Sequence, residues 1–377
     1  MKKITLFFII ILIFLFASPS FATEAESEII SAIGEELKEF KDSLPEEILN
    51  FLPNGIFEEN FSQLTSKALD EKSIWNYILD YLFLGIKTVI KSFSGILVLI
   101  LLSSIFEIFS STFSSVAVSN AFSTCSILCI ALTVFSLCNS LATNVNNYIG
   151  ILCNVMGAFA PIMASLQVMS GNISSATVTN ASMVLFISIV DGFLLAFMMP
   201  LVNLCLLFSC IKALGGIEFG GISKMVRTTF TSVTVFTMSI FMFIFSFKNI
   251  LTQGADSLTV KTARFAISSF VPLVGASIND ALKTVSSSLS LIKNSCGVLA
   301  IIVIALMMLP IIIYIFLNKI SFGLLSSISK ILQCDKQSAI LEEADSLCTY
   351  MLTLVASSCA LFIFAITIFI KTSLVTS

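Results

Sequence analysis

Asp191 is the residue of this chain best placed to do chemistry, because it lies centrally in the otherwise uncharged apolar run Met183 to Met199. An ionised carboxylate at that depth in a bilayer costs about 3 kcal/mol on insertion scales. It therefore faces protein or water, or carries a proton. Two readings stay open: a step in a proton or solute path, with Asn203 three turns further along as a polar neighbour beyond Pro200, or a helix-packing hydrogen bond to Asn154 or Ser188.

A second group of residues surrounds an apolar elbow. Asp256 to Arg264 precedes Phe270-Val271-Pro272-Leu273-Val274-Gly275, and Asp280 opens a stretch in which Leu282, Val285, Leu289 and Ile292 form a helical stripe. Ser286, Ser287, Ser288 and Ser290 fill the intervening positions. The order is amphipathic helix, elbow, amphipathic helix, with Lys261, Arg264 and Asp280 as its charges. Such a segment either re-enters the membrane to line a cavity, where protein or water satisfies irregular backbone, or lies in the interface as a connector.

Other chemistries are excluded. The chain has no histidine, so Ser-His-Asp and Cys-His arrangements, HExxH zinc sites and haem His ligation cannot be built. Ten cysteines occur without a CxxC pair, and eight of them sit in apolar stretches, where thiols pack as small hydrophobes. Gly216 to Gly221 has the glycine spacing of a phosphate loop but is followed by Ile222 and Ser223, so no lysine reaches a phosphate. It reads as a bend or a close packing point at a helix end. No enzyme, cofactor or metal is expected from these residues.

The elements that must position them follow from composition. Of 377 residues 57% are hydrophobic and 11% charged, and the mean hydropathy is +1.03, which excludes a soluble globular domain. A net charge of -3 leaves no basic footprint for nucleic acid. The expected fold is all-α: a polytopic helical membrane protein with an N-terminal signal peptide and a small external helical segment.

Residues 1–22 have the signal pattern, with Lys2 and Lys3 before an apolar core and Ser20 and Ala22 before the cut. Residues 23–80 carry a net charge of -10 and form the external segment. Ile29, Ile33, Leu37, Phe40 and Leu44 mark its first helix, Ser43 and Glu46 a capping box for a second, and Phe57, Phe61, Leu64 and Ala68 a third. Residues 81–377, at +5, form the membrane domain. Runs near 92–110, 121–141, 149–169, 182–211, 229–247, 296–318 and 349–370 suggest about seven spans. The run 182–211 is too long for one straight span and contains Pro200, so it is a kinked helix or two short segments. Loop charges do not assign the elbow to a side of the membrane.

The string from Ala255 through Asp256-Ser257-Leu258-Thr259-Val260-Lys261-Thr262-Ala263-Arg264-Phe265, then Ser269 to Gly275, Asp280 to Val285 and Leu291 to Asn294, resembles the signature region of the stage III sporulation protein AE family. The order of signal, external segment, spans and elbow resembles that family as well. The resemblance implies a mother-cell membrane protein facing the engulfed forespore. Its implied partners are other membrane proteins of the same sporulation complex, a forespore membrane protein and the lipid bilayer, in a channel or secretion-like assembly needed for late forespore development. It carries over no catalytic residue. The competing expectation is a stand-alone secondary transporter using Asp191 and the Pro272 elbow.

Overall fold

The computed structural model describes residues 31–51, 71–110, 116–190, 192, 196–215, 220–270 and 275–371. The expected signal peptide, the helix around Phe57 to Ala68, Asp191 and Pro272 lie outside the described residues. Within them the secondary structure is helical, joined by short turns: α1 Gly34–Ser43, α2 Glu46–Phe51, α3 Glu71–Ser110, α4 Val116–Met169, α5 Ile173–Ile189, α6 Ala196–Gly215, α7 Gly220–Phe270, α8 Gly275–Ile331 and α9 Asp335–Lys371. Five of these are long and apolar enough to cross a membrane: α3, α4, α7, α8 and α9.

The amphipathic front docks on the membrane helices as its spacing requires. Ile33, Leu37, Phe40, Leu44 and Ile48 are buried, and the Phe40 ring lies 5.3 Å from that of Phe159 in α4. Ser43 does not open α2 in a capping box. Its hydroxyl donates to Phe40 O at 2.6 Å and closes α1, while Pro45 O accepts the first amides of α2.

The expected runs 121–141 and 149–169 lie on one uninterrupted helix, the 54-residue α4. At 1.5 Å per residue that is roughly 80 Å, far more than the hydrocarbon thickness. The polar stretch Asn139 to Asn147 that separates the runs in sequence is helical too. The long run 182–211 is split: α5 ends at Ile189, Val190 and Gly192 are in π-type turns, and α6 starts at Ala196 with Pro200 inside it.

Side-chain contacts give each helix its direction. Tyr77 and Ser104 of α3 bond to the carbonyls of Leu306 and Leu332, so α3 runs parallel to α8. The α8–α9 pair is an antiparallel hairpin, tied by Ser326 to Ser338 at 3.1 Å near its turn. Phe186 of α5 packs on Phe362 of α9 at 4.7 Å, whereas Ser209 of α6 bonds to Ala339 O, so α5 and α6 advance in the same direction. Together they make one broken passage antiparallel to α9. With Arg227 of α7 beside Glu343, and Phe241 beside Phe186, α7 runs parallel to α9.

This alternation places the front, the turn after α4, the ends of α7 and α8 that flank the elbow, and the end of α9 together at one end of the bundle. The α8–α9 turn is at the other. Central to the bundle is α8, whose residues Leu299 to Ile304 are all buried, as expected of a helix apolar on every side. The outer faces of α3 and α7 remain apolar: Phe83 is 68% exposed and Phe243 71%.

Candidate functional site

Three closely spaced carboxylates in α9 organise the end of the bundle that carries the α8–α9 turn. Successive helical residues point about 100° apart, so Glu342, Glu343 and Asp345 reach different neighbours. Glu342 pairs with Lys330 at the surface of the hairpin. Glu343 pairs with Arg227 of α7, and the same oxygen accepts from Ser223 Oγ at 2.7 Å. Asp345 takes both bonds from Lys319 Nζ, at 2.9 and 2.8 Å. Gln337 adds a bond to Ser103 of α3 at 2.8 Å. One segment of α9 thus touches α3, α6, α7 and α8, and its acids are matched by cations. Matched charges suit a fixed joint better than proton transfer, which needs an acid and a base with separated affinities.

At the opposite end Asp256 is 4% exposed and serves as a cap for another helix. Its carboxylate accepts from the amides of Ser174 and Ser175, at 3.0 and 2.9 Å, and from Ser175 Oγ at 2.7 Å. These amides are the unsatisfied donors of the first turn of α5, where a negative charge also meets the positive end of the helix dipole. The residue at the N-cap position itself, Asn172, makes no side-chain cap bond. Close by in chain terms, Lys293 of α8 is 2% exposed, with Nζ 5.2 Å from the centroid of the Phe369 ring.

A seam cavity of about 330 Å³ lies between α2 and the helices α3, α4 and α8. Glu46, Glu47, Tyr77, Asn144 and Tyr148 line it, and Tyr81 donates to Glu47 at 2.5 Å. This is a polar joint between the acidic front and the membrane domain.

The sequence-expected residues are dispersed. Pro200 is exposed, and Asn203 is half-buried with an Oδ1 that has no hydrogen-bond partner. Asn154 is exposed, and the Ser188 hydroxyl donates to Val184 O at 2.8 Å. Lys261 and Arg264 fall in the last turns of α7, and Gly275 and Asp280 in the first turns of α8, on either side of the elbow. Sequence reasoning missed the Asp256 cap and the Arg227–Glu343 pair. Their only advance signal was a charge placed at the edge of an apolar helix. Among the described residues no cluster of three metal-ligating side chains occurs.

Comparison with known proteins gives this architecture a family. A curated protein from Bacillus subtilis (strain 168), stage III sporulation protein AE, is 26% identical to the chain over 149 residues, which is 39% of this chain and 37% of that protein. The matched part therefore spans little more than a third of the relative's length. No solved structure matches. The family model for stage III sporulation protein AE matches residues 57–373, from before α3 into the end of α9, and so takes in the broken passage, the Asp256 cap and the α9 ion pairs. Because that match covers most of the chain, the protein belongs to the stage III sporulation protein AE family.

Proposed function

We propose that the chain is a non-enzymatic multipass subunit of a sporulation-specific channel or secretion-like complex, set in the mother-cell membrane around the engulfed forespore and needed for late forespore development. A role in sporulation and a membrane setting follow from the family and the apolar helices. The finer reading is carried by one observation: α3 and α7 keep long apolar flanks exposed while the charges within the bundle are tied into joints. Such a body suits burial beside lipid and other membrane subunits of the same complex. The acidic front, docked through Phe40 and Glu47, then faces the space between the two cells, where a forespore membrane protein is its partner. Deleting the gene and scoring heat-resistant spores tests this. Loss of spores after engulfment is expected, and a normal spore yield overturns the reading.

The interrupted passage α5–α6 favours a second reading, because transporters often bind solute at broken helices. In it Asp191 and the Pro272 elbow form the path. Asp191→Asn separates the two: full spore yield in that variant removes the transporter, while a subunit of a complex tolerates it.

A further inference from the structure

Between α7 and α9, beside the Arg227–Glu343 pair, lies an open cavity of about 260 Å³ whose walls carry hydroxyl groups. Its position on two membrane-crossing helices makes a polar lining unusual, since an outer wall there ordinarily presents apolar side chains, as Val233 and Phe236 do on the same helix.

The hydrogen-bonding capacity of the lining is specific. Thr231, Thr349 and Thr353 donate their hydroxyl protons to the carbonyls of Arg227, Asp345 and Thr349, at 2.9, 3.2 and 2.9 Å. Towards the cavity they therefore offer oxygen lone pairs, and act as acceptors. Tyr350 has the opposite character. It is 3% exposed and lines the cavity, and its phenol O–H can donate. Arg227 adds the guanidinium donors that its bond to Glu343 does not use.

The cavity thus brings donors and acceptors together on its two walls, and it is smaller than the 300 Å³ or so at which drug-sized ligands begin to fit. A phosphate ester carrying a hydroxyl or ammonium arm has the matching pattern. Its phosphate oxygens accept from Tyr350 and Arg227, and its arm donates to the threonine oxygens. We propose that this cavity is a binding site for a phosphate-ester headgroup, held by Tyr350 and Arg227 at the phosphate and by Thr349 and Thr353 at the polar arm. A glycerophospholipid of the surrounding bilayer and a soluble glycerol phosphate share that chemistry.

The test uses the full chain purified in detergent. Phosphatidylglycerol is titrated in and retained lipid is counted by native mass spectrometry, while sn-glycerol 3-phosphate and inorganic phosphate are titrated separately and read by melting temperature. Tyr350→Phe removes one oxygen without changing shape, and Thr353→Val removes the acceptor. Each is expected to lower lipid retention at least five-fold, with the unliganded melting temperature held within a few degrees. Thr367→Val, whose hydroxyl bonds to Ile363 O away from the cavity, is expected to retain lipid as the parent does. If glycerol 3-phosphate stabilises the parent and not Tyr350→Phe, the site stands with a soluble ester as its occupant. Equal retention by the parent and Tyr350→Phe, or no response of the parent to any of the three probes, overturns the proposal.

Discussion

The hydroxyl of Tyr77 donates to the carbonyl oxygen of Leu306 at 3.3 Å, across the contact between α3 and α8. Pro310 stands four residues beyond Leu306 in α8 and has no N–H to offer that carbonyl. Tyr77 therefore supplies from the neighbouring helix the bond that the proline removes. In a membrane no water is at hand to do the same, so the pairing fixes the register of two parallel helices as well as satisfying a polar group.

Tyr77→Phe is accordingly expected to lower stability by about 1–2 kcal/mol, the cost of leaving a buried carbonyl unpaired. Pro310→Ala restores the internal amide, so in that background the same substitution should cost much less. Melting of the four proteins in detergent gives the coupling directly. Equal losses in both backgrounds would show that Tyr77 acts through packing alone.

A second prediction concerns Asp256, which caps α5 from some eighty residues away. Asp256→Ala strands two amides and a hydroxyl, and about 3 kcal/mol of destabilisation is expected from the lost charged bonds. Asp256→Asn keeps the shape and one acceptor, and should fall between. Protection of the Ser174 and Ser175 amides in hydrogen exchange is the local readout, and unchanged protection in Asp256→Ala would contradict the cap.

Much of this architecture was legible in the sequence, and the rest was hidden for identifiable reasons. The register Ile33, Leu37, Phe40 and Leu44 appeared because a docked amphipathic helix repeats its apolar face every three to four residues. The break in 182–211 was visible through length and Pro200. Reading 121–141 and 149–169 as separate runs followed hydropathy, which falls at Asn139 to Asn147. Yet Val145 is buried, and Asn139 and Asn146 hold side-chain oxygens shielded from solvent, so these amides face protein along a continuous helix. Hydropathy cannot distinguish a polar residue at a loop from one inside a bundle. The partners of Asp256, Arg227 and Tyr77 are distant in the chain and leave no local pattern.

The two tight turns of the bundle offer a matched pair of substitutions. Both follow the same hydrogen-bond scheme: Asn172 N bonds to Gln167 O, and Cys334 N to Ser329 O, each at 2.9 Å. The residue that must be left-handed is Gly171 in the first, with φ 80°, and Gln333 in the second, with φ 61°. A side chain there costs roughly 1–2 kcal/mol, part of which glycine gives back through its freer unfolded chain. Gln333→Gly should therefore raise stability by about 0.5–1 kcal/mol, and Gly171→Ala should lower it by about 1 kcal/mol. A lower melting temperature for Gln333→Gly would mean that its side chain makes a compensating contact.

Gly297 of α8 is buried against the end of α9, where a Cβ would collide with Ile370 Cγ1 and come within 2.6 Å of its Cδ1. Gly297→Ala is expected to cost about 1–3 kcal/mol by overpacking. Ile370→Ala removes both atoms that collide, and should recover part of the loss when combined with Gly297→Ala. Simple addition of the two single effects would instead place the strain elsewhere.

The last prediction concerns sidedness, since the helix directions place the elbow at the same end as the acidic front. Six passages produce that arrangement, with α4 crossing once and α5–α6 counting as one. A single further crossing in either place would move the elbow to the opposite side. Glu39 in α1, Thr262 in α7 and Ser327 in α8 are all exposed, and each can be replaced singly by cysteine after the ten native cysteines are removed. With the protein expressed in the plasma membrane of non-sporulating cells, an impermeant thiol reagent added outside should label Glu39→Cys and Thr262→Cys alike, and Ser327→Cys only after the membrane is opened. Labelling of Glu39→Cys together with Ser327→Cys, and of Thr262→Cys only after the membrane is opened, would require another crossing between α1 and the elbow. Were that crossing within α5–α6, the joint of Asp256 with the start of α5 would have to form across the membrane, which its 2.7–3.0 Å bonds forbid. The Asp256 cap therefore forbids a second crossing within α5–α6, and the labelling pattern decides whether α4 crosses once or twice.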